Sequence, residues 1–381
     1  MTLSLTLSLI VAAIWGYLLA FRGGFWLARE RDDFGGKGHV AEWPAVTAAV
    51  PARDEADVIA RSVGSLLAQD YPGELRVIVV DDQSSDGTAE AARALSAAGR
   101  LEVLRGTERP SGWTGKLWAL KQGITRASGD RPPDCFWFTD ADIVHSSDNL
   151  RRLVERMESN DLVMISLMAK LRCESFAERL LIPAFVFFFE MLFPFSWVNT
   201  PSKPTAAAAG GCILVRRKAL EKAGGIDSLR HEIIDDCALA RRLKLQGAIW
   251  LGLTDRAVSL RRYKRIRDVE RMVARSAFAE LDYSSVKLAG TIAGMALTFL
   301  VPPLVFAFGA GATRIVAAGV CFCMAVSMAP MLRFYRRTPL WGLALPLIAL
   351  FYAAFTVGSA IQFWSGRGGS WKGRIQAMKQ T

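Results

Sequence analysis

The stretch Leu75-Arg76-Val77-Ile78-Val79-Val80-Asp81-Asp82-Gln83-Ser84-Ser85-Asp86-Gly87-Thr88 decides the fold. Leu75 to Val80 is a near-continuous apolar run, the pattern of a strand buried on both faces of a parallel sheet rather than half-exposed in an antiparallel one. It ends in two acids and a serine-rich turn, and Asp86-Gly87-Thr88 then opens a helix. An acidic turn between strand and helix marks the carboxyl end of a parallel strand, where open α/β sheets bind their ligands. Helix capping accounts for Ser85 or Asp86. It does not account for Asp81-Asp82, whose carboxylates suit ribose hydroxyls or a nucleobase edge.

The same alternation continues on either side. Val46 to Val50 is a short apolar run ending at Pro51, and Ala56 to Gln69 has helical spacing. Leu101–Leu104, Cys135–Phe138 and Leu162–Ser166 read as further strands, with helices over 116–127 and 147–158. The expected fold is α/β: a mostly parallel, Rossmann-type sheet with helices on both faces.

Two more acidic clusters fall at element ends. Asp140-Ala141-Asp142 follows Phe136-Trp137-Phe138. Carboxylates one residue apart at a strand end suit Mg²⁺ or Mn²⁺, and such an ion bridges diphosphate oxygens. His145 lies nearby and is expected at the surface or as a cap rather than on the metal. Asp235-Asp236 opens an amphipathic helix, where a cap and a general base are equally good readings from the residues alone.

Hydrophobic residues make up 51% of the 381 residues and the mean hydropathy is positive, which strains a purely soluble reading. Leu3 to Phe21 is uncharged and followed by Arg22, Arg29 and Arg31, which reads as an uncleaved anchor with its basic side in the cytosol. Leu288–Thr313, Ile315–Leu332 and Thr338–Gly366 are also free of charge and each about the length of a membrane span. Arg333, Arg336 and Arg337 suggest a cytosolic turn between the last two. A third crossing would put Arg367, Lys372, Arg374 and Lys379 outside, against the positive-inside trend, unless Pro346 and Gly358 let the last run re-enter. Leu180–Trp197, broken by Pro183, Glu190 and Pro194, is expected to lie on or dip into the membrane. The net charge of +11 is placed by Arg261, Arg262, Lys264, Arg265 and Arg267 beside an apolar region, which points to acidic lipids. No helix-turn-helix or zinc-finger pattern points to nucleic acid, and the six scattered cysteines have no zinc spacing.

Taken together, the motifs resemble the family 2 glycosyltransferases from about residue 44 to 260. Pro51-Ala52-Arg53-Asp54-Glu55 resembles the opening motif, so Pro51, Arg53 and Glu55 are expected at the nucleotide. Asp82 matches the base-binding aspartate, Lys116 the Gly-Lys segment near the diphosphate, and Asp140 and Asp142 the metal-binding pair. Gly210-Gly211 matches the acceptor side, and Asp236 the catalytic base beside Asp235. The resemblance implies a nucleotide-sugar-binding, GT-A-like fold and inverting transfer from a nucleotide sugar, a UDP-sugar favoured, assisted by Mg²⁺ or Mn²⁺. Gly112 to Ala119 and Trp371-Lys372-Gly373-Arg374 look most like the hopanoid-biosynthesis-associated members, which implies a lipid acceptor and a multi-pass inner-membrane protein with its catalytic domain on the cytosolic face. The Gln-x-x-Arg-Trp motif of processive synthases is absent, which argues for a single sugar; one of Arg265, Arg271 or Arg275 stands where a residue could reach the diphosphate. Expected regions are an anchor over 1–22, the catalytic domain over 44–260, a basic segment over 261–287, membrane helices over 288–366 and a basic tail over 367–381. Two other readings remain: transfer to a polyprenyl phosphate, and a non-catalytic membrane scaffold built on the same fold.

Overall fold

The computed structural model describes residues 3–33, 40–95, 99–129, 131–369 and 372. Of the closing tail motif only Lys372 falls among them; Trp371, Gly373, Arg374 and also Lys379 lie outside the described residues. The described residues contain eight strands: β1 (Val46–Ala52), β2 (Leu75–Asp81), β3 (Leu101–Arg105), β4 (Cys135–Phe138), β5 (Ile143–His145), β6 (Leu162–Lys170), β7 (Ile213–Arg216) and β8 (Ala248–Ser259). They form one sheet in the order β3-β2-β1-β4-β7-β6-β8-β5. Strands β3, β2, β1 and β4 are parallel. Strand β7 runs antiparallel between β4 and β6, β6 pairs parallel with β8, and β5 closes the edge antiparallel to β8.

The order reverses at β1, with β2 on one side and β4 on the other. Strand β1 pairs with β2 as far as Ala52↔Asp81, but with β4 only as far as Ala49↔Phe138. Beyond that point β4 turns away into Thr139-Asp140, and a cleft opens between the two strand ends. Pro51 sits in this gap. Its missing N–H costs no ladder bond there, which is why a proline is tolerated in a central strand. Apolar residues fill both faces of the sheet: Ile78, Val80, Phe136 and Val215 belong to one buried cluster, and Val77, Val79, Trp137 and Leu214 to the other.

Among the described residues, three helices are long and apolar enough to cross a membrane: Ser285–Phe308, Gly311–Phe334 and Pro339–Trp364. The first two form a hairpin, and the helix Leu3–Phe21 lies alongside it, with Trp15 Nε1 donating to the Thr298 carbonyl at 2.9 Å. The expectation of a membrane-dipping segment over Leu180–Trp197 is not met. Residues Phe176–Leu192 form one helix, capped by Ser175 and Glu178, with Leu181, Ile182, Ala184 and Val186 fully buried. Neighbouring helices cover it, so its apolar character serves packing inside the protein.

Candidate functional site

At the first two strand ends, loop joins loop. Asp54 N–H donates to Ser84 Oγ, Ser85 N–H to Asp54 Oδ1, Glu55 N–H to Thr88 Oγ1, and Ala56 N–H to Asp86 Oδ2. Asp86 also accepts from Thr88 N–H at 3.1 Å. The serines, Asp86 and Thr88 therefore hold the turn, while Asp81 and Asp82 close the strand. Asp54 (φ 48°) and Gln83 (φ 57°) adopt the left-handed conformation, which costs a non-glycine residue energy and persists where surrounding bonds fix it. Arg53 donates to the Asp82 carbonyl at 2.5 Å and lies 3.9 Å from its carboxylate. Among the described residues, Asp81 Oδ1 and Arg53 Nε are buried without a hydrogen-bond partner, Arg53 Nε lying 3.8 Å from the Asp54 carboxylate, polar capacity that a bound ligand would satisfy.

The cleft floor is built on Lys116. Thr114 caps the helix Gly115–Ala127, which places the Lys116 ammonium 2.9 Å from Asp140 Oδ1 and 3.5 Å from Asp235 Oδ2. Burial alone would lower its pKa, but the carboxylates of Asp140, Asp235 and Asp236 outweigh it and hold the lysine above its ordinary value. Asp236 accepts from the Gly210 N–H at 2.9 Å and from the Cys237 N–H at 2.8 Å. Burial first, and the neighbouring Asp235 charge second, push Asp236 up to about 6; Lys116 and the two N–H groups pull the other way. A Cβ on Gly210 would stand 2.9 Å from the Lys116 ammonium, so a side chain there would collide with the floor of the site. The cap position of the helix that Asp235 opens is Ile234, which makes no side-chain cap bond, and Asp235 in the first turn faces Lys116.

On the other wall, Asp142 Oδ2 accepts from Ser259 Oγ at 3.1 Å and from Arg261 Nε at 3.0 Å. The other arm of Arg261 reaches Glu55 at 2.7 Å, and Lys372 reaches the same carboxylate at 2.8 Å and the Asp54 carbonyl at 2.9 Å. Burial would lower Arg261, but Asp142 and Glu55 raise it further. Arg261 was expected to meet lipid with its basic neighbours; the structure puts it in the cleft wall instead, because β8 ends at Ser259 directly beside the Asp142 turn. Asp268, at the start of the helix Ile266–Ala274, accepts from the Arg265 backbone N–H and from the Arg271 guanidinium, and Arg265 and Arg275 are exposed, whereas Arg261 reaches the acids. Sequence reasoning also missed the placement of Lys372. The +2 spacing of Arg261 from the end of an acid-facing strand is a signal only once β8 is recognised.

The expectation of a surface or capping role for His145 fails. It is buried, edge-on to Trp137 at 4.6 Å. Asn149 donates to its Nδ1 at 3.0 Å, so its Nε2 carries the proton and donates to Thr139 Oγ1 at 2.9 Å, and Thr139 donates onward to the Gly211 carbonyl at 2.9 Å. Burial pulls its pKa to about 3, so the ring stays neutral.

The donor set was tested against a divalent cation. No group of three or more His, Cys, Asp or Glu is placed to hold a metal ion by itself among the described residues. The ion pairs use Oδ1 of Asp140 and Oδ2 of Asp142, which leaves the second oxygen of each for a hard cation. Mg²⁺-type sites commonly take one or two carboxylates and complete their shell with substrate phosphates and water, so these residues fit an ion that arrives with a diphosphate. A cavity of about 530 Å³ lies elsewhere, lined by Arg76, Arg100, Arg126 and Arg131. It contains no carboxylate pair, and Arg126 is already paired with Glu102.

A mixed sheet whose reversal point carries three acidic strand or helix ends defines a GT-A-like α/β domain. Residues 47–224 match the model of glycosyl transferase family 2. Two curated relatives are a probable glycosyltransferase, YdaM, of Bacillus subtilis (strain 168), 30% identical over 129 residues, and the glycosyltransferase AglE of Haloferax volcanii, 36% identical over 88 residues. The aligned segments cover 33% and 23% of this chain, and it spans only 31% and 28% of the length of those relatives. Among solved structures, a mannosyltransferase from Pyrobaculum calidifontis in complex with GDP-Man and Mn²⁺ shares the fold with a TM-score of 0.57 at 20% identity, covering 94% of this chain and 98% of that one.

Proposed function

We propose that this chain is an inverting glycosyltransferase that moves one sugar from a nucleoside-diphosphate sugar to the hydroxyl of a membrane lipid. The observation that carries the reading is Lys116, held between Asp140 on the donor side and Asp235-Asp236 on the acceptor side. The base and ribose lie along Asp82, Arg53 and Pro51. A Mg²⁺ or Mn²⁺ ion held by Asp140 and Asp142 supplies Lewis-acid neutralisation of the diphosphate. Arg261 and Lys372 add fixed positive charge on the same wall.

In the transfer step, the acceptor oxygen bonds to the anomeric carbon as the bond from that carbon to the diphosphate oxygen breaks. Asp236 takes the hydroxyl proton, and the electron pair leaves with the nucleoside diphosphate beside Lys116. A base raised to about 6 is ionised near neutral pH yet keeps useful proton affinity, which suits a hydroxyl more than an already ionised phosphate. The lipid acceptor is supported by the apolar helices, and a hopanoid or related polyprenoid by the Gly112–Ala119 pattern. The catalytic domain then works at the cytosolic face of the cell membrane, and the domain boundaries at 44 and 260 follow the motifs.

The test is a thermal-shift screen of purified protein against nucleotide sugars, UDP-sugars first and GDP-mannose beside them, with Mn²⁺ and with EDTA. Stabilisation by one donor that needs the metal is expected, since the acids at Asp140 and Asp142 repel an unaccompanied diphosphate. Equal stabilisation in EDTA would remove the metal from the proposal, and no donor stabilisation at all would revive the scaffold reading.

A further inference from the structure

The helix Pro339–Trp364 satisfies every length and composition criterion for a membrane span, yet both of its ends are held on the catalytic side. At its start, Lys170 donates to the Phe334 carbonyl at 2.8 Å and Arg337 donates to the Cys173 carbonyl. The hairpin Ser285–Phe334 has therefore already returned to the catalytic domain when this helix begins. A span of 26 residues would then carry Trp364 about 39 Å away. Instead, Tyr352 donates to the Leu181 carbonyl at 2.9 Å, and Ser359 accepts from the Phe278 N–H at 3.1 Å and donates to the Ala274 carbonyl at 2.5 Å. Phe363 and Trp364 each pack on Phe278 at 5.6 Å, seven residues before the hairpin departs at Ser285. Eight residues past Trp364, Lys372 is on Glu55 in the donor cleft.

We infer that this helix does not cross the bilayer but lies along the leaflet that faces the catalytic domain, at the boundary between headgroups and hydrocarbon. Its inner stripe, Leu345, Ile348, Tyr352, Phe355 and Ser359, is buried, and the helix packs on Phe176–Leu192, on Ile266–Ala274 and on the hairpin where it leaves the catalytic domain. Its outer stripe, Leu343, Leu347, Leu350, Ile361 and Trp364, is exposed and apolar. A helix apolar on both sides, with only one side covered by protein, needs a second apolar medium. Exposed Arg333 and Arg336 at one end and Arg367 at the other match anionic lipid phosphates in one plane. The hairpin emerging beside it reaches about 36 Å, enough to cross the hydrocarbon, and fixes where that plane lies. The cleft thus sits on a leaflet-embedded platform, and the chain after the platform returns to the same aqueous side to supply Lys372.

This inference rests on the membrane reading, and the experiment separates the two. Full-length variants Lys218→Cys (exposed on the catalytic domain), Ala310→Cys (hairpin turn) and Ser365→Cys are made in turn. Each is labelled with a membrane-impermeant maleimide in sealed vesicles of both orientations, against the unsubstituted chain as background. Ser365→Cys is expected to label with Lys218→Cys, and Ala310→Cys only in the opposite orientation. Partition of Ser365→Cys with Ala310→Cys would overturn the inference and leave the membrane reading intact. Ala310→Cys labelling with Lys218→Cys in sealed vesicles would sink both. A fluorophore on Leu350→Cys should be quenched by lipids brominated near the headgroup and weakly by those brominated at mid-chain; the reverse depth profile would also overturn it.

Discussion

Asp236 and Asp235 are neighbours in sequence with different surroundings. Asp236 takes two backbone N–H bonds that fix its carboxylate and is pushed up to about 6, whereas Asp235 faces Lys116 at 3.5 Å. Asp236→Asn is expected to lower turnover by about 10²- to 10⁴-fold, the range for losing a general base, with donor affinity near normal by calorimetry. Asp235→Asn should be milder, since it loosens Lys116 without removing the proton acceptor. The reverse order, with both variants folded and binding donor, would move the base by one residue. The pH dependence has a definite sign. As the proposed base, Asp236 would act only when ionised, so kcat/KM is expected to rise as pH climbs through about 6 and to level off above it. A profile flat from pH 5 to 8 would contradict the assignment.

The turn after β4 and the Gly210-Gly211 turn before β7 belong to elements that pair antiparallel, and the line Asn149, His145, Thr139, Gly211 ties them together. Thr139→Val keeps the shape but strands His145 Nε2 and the Gly211 carbonyl, and each buried group left unpaired costs about 1–3 kcal/mol. Chemical denaturation should show the loss, and Thr139→Ser should restore it. Unchanged stability in the valine variant would mean that the line contributes nothing. This part of the molecule was poorly legible in the sequence. Strands β1, β2, β4 and β6 declare themselves as apolar runs bounded by turns, because both of their faces are buried, while the edge strand β3 shows only as a short alternating run. Strands β5 and β7 are three and four residues long, too short for a period. Strand β8 hides Ile249–Leu253 behind a tail that alternates buried and exposed. With β8 unseen, Arg261 read as one more cation of a basic segment, and the closing of Arg261 on Asp142 and Glu55 was invisible. The acids were legible because adjacent or alternate carboxylates at strand ends exceed what capping uses; their cationic partners come from remote segments that only the tertiary fold brings in.

At the scale of the whole molecule, the α/β domain and the apolar helices are one packed body. Arg22 Nε donates to the Met191 carbonyl at 3.1 Å, Tyr352 to Leu181, and Phe188 stacks edge-on with both Phe299 and Tyr352. The hairpin leaves Leu304, Phe306, Phe308, Ile315 and Phe322 exposed at its surface, a larger apolar patch than a soluble chain tolerates. Two kinds of membrane attachment would respond differently to washing. Attraction of Arg262, Arg265 and Arg267 to acidic lipids is screened once salt shortens the Debye length to about 3 Å at 1 M. Burial of about 20 apolar residues per helix in hydrocarbon is insensitive to salt and to alkaline pH. Full-length protein should therefore stay in the membrane pellet after 1 M salt (about three times the screening of 0.1 M) and after carbonate, and enter solution only with detergent. Release by salt alone would reduce the attachment to the basic segment; release by carbonate would mean that the hairpin packs against protein rather than spanning lipid.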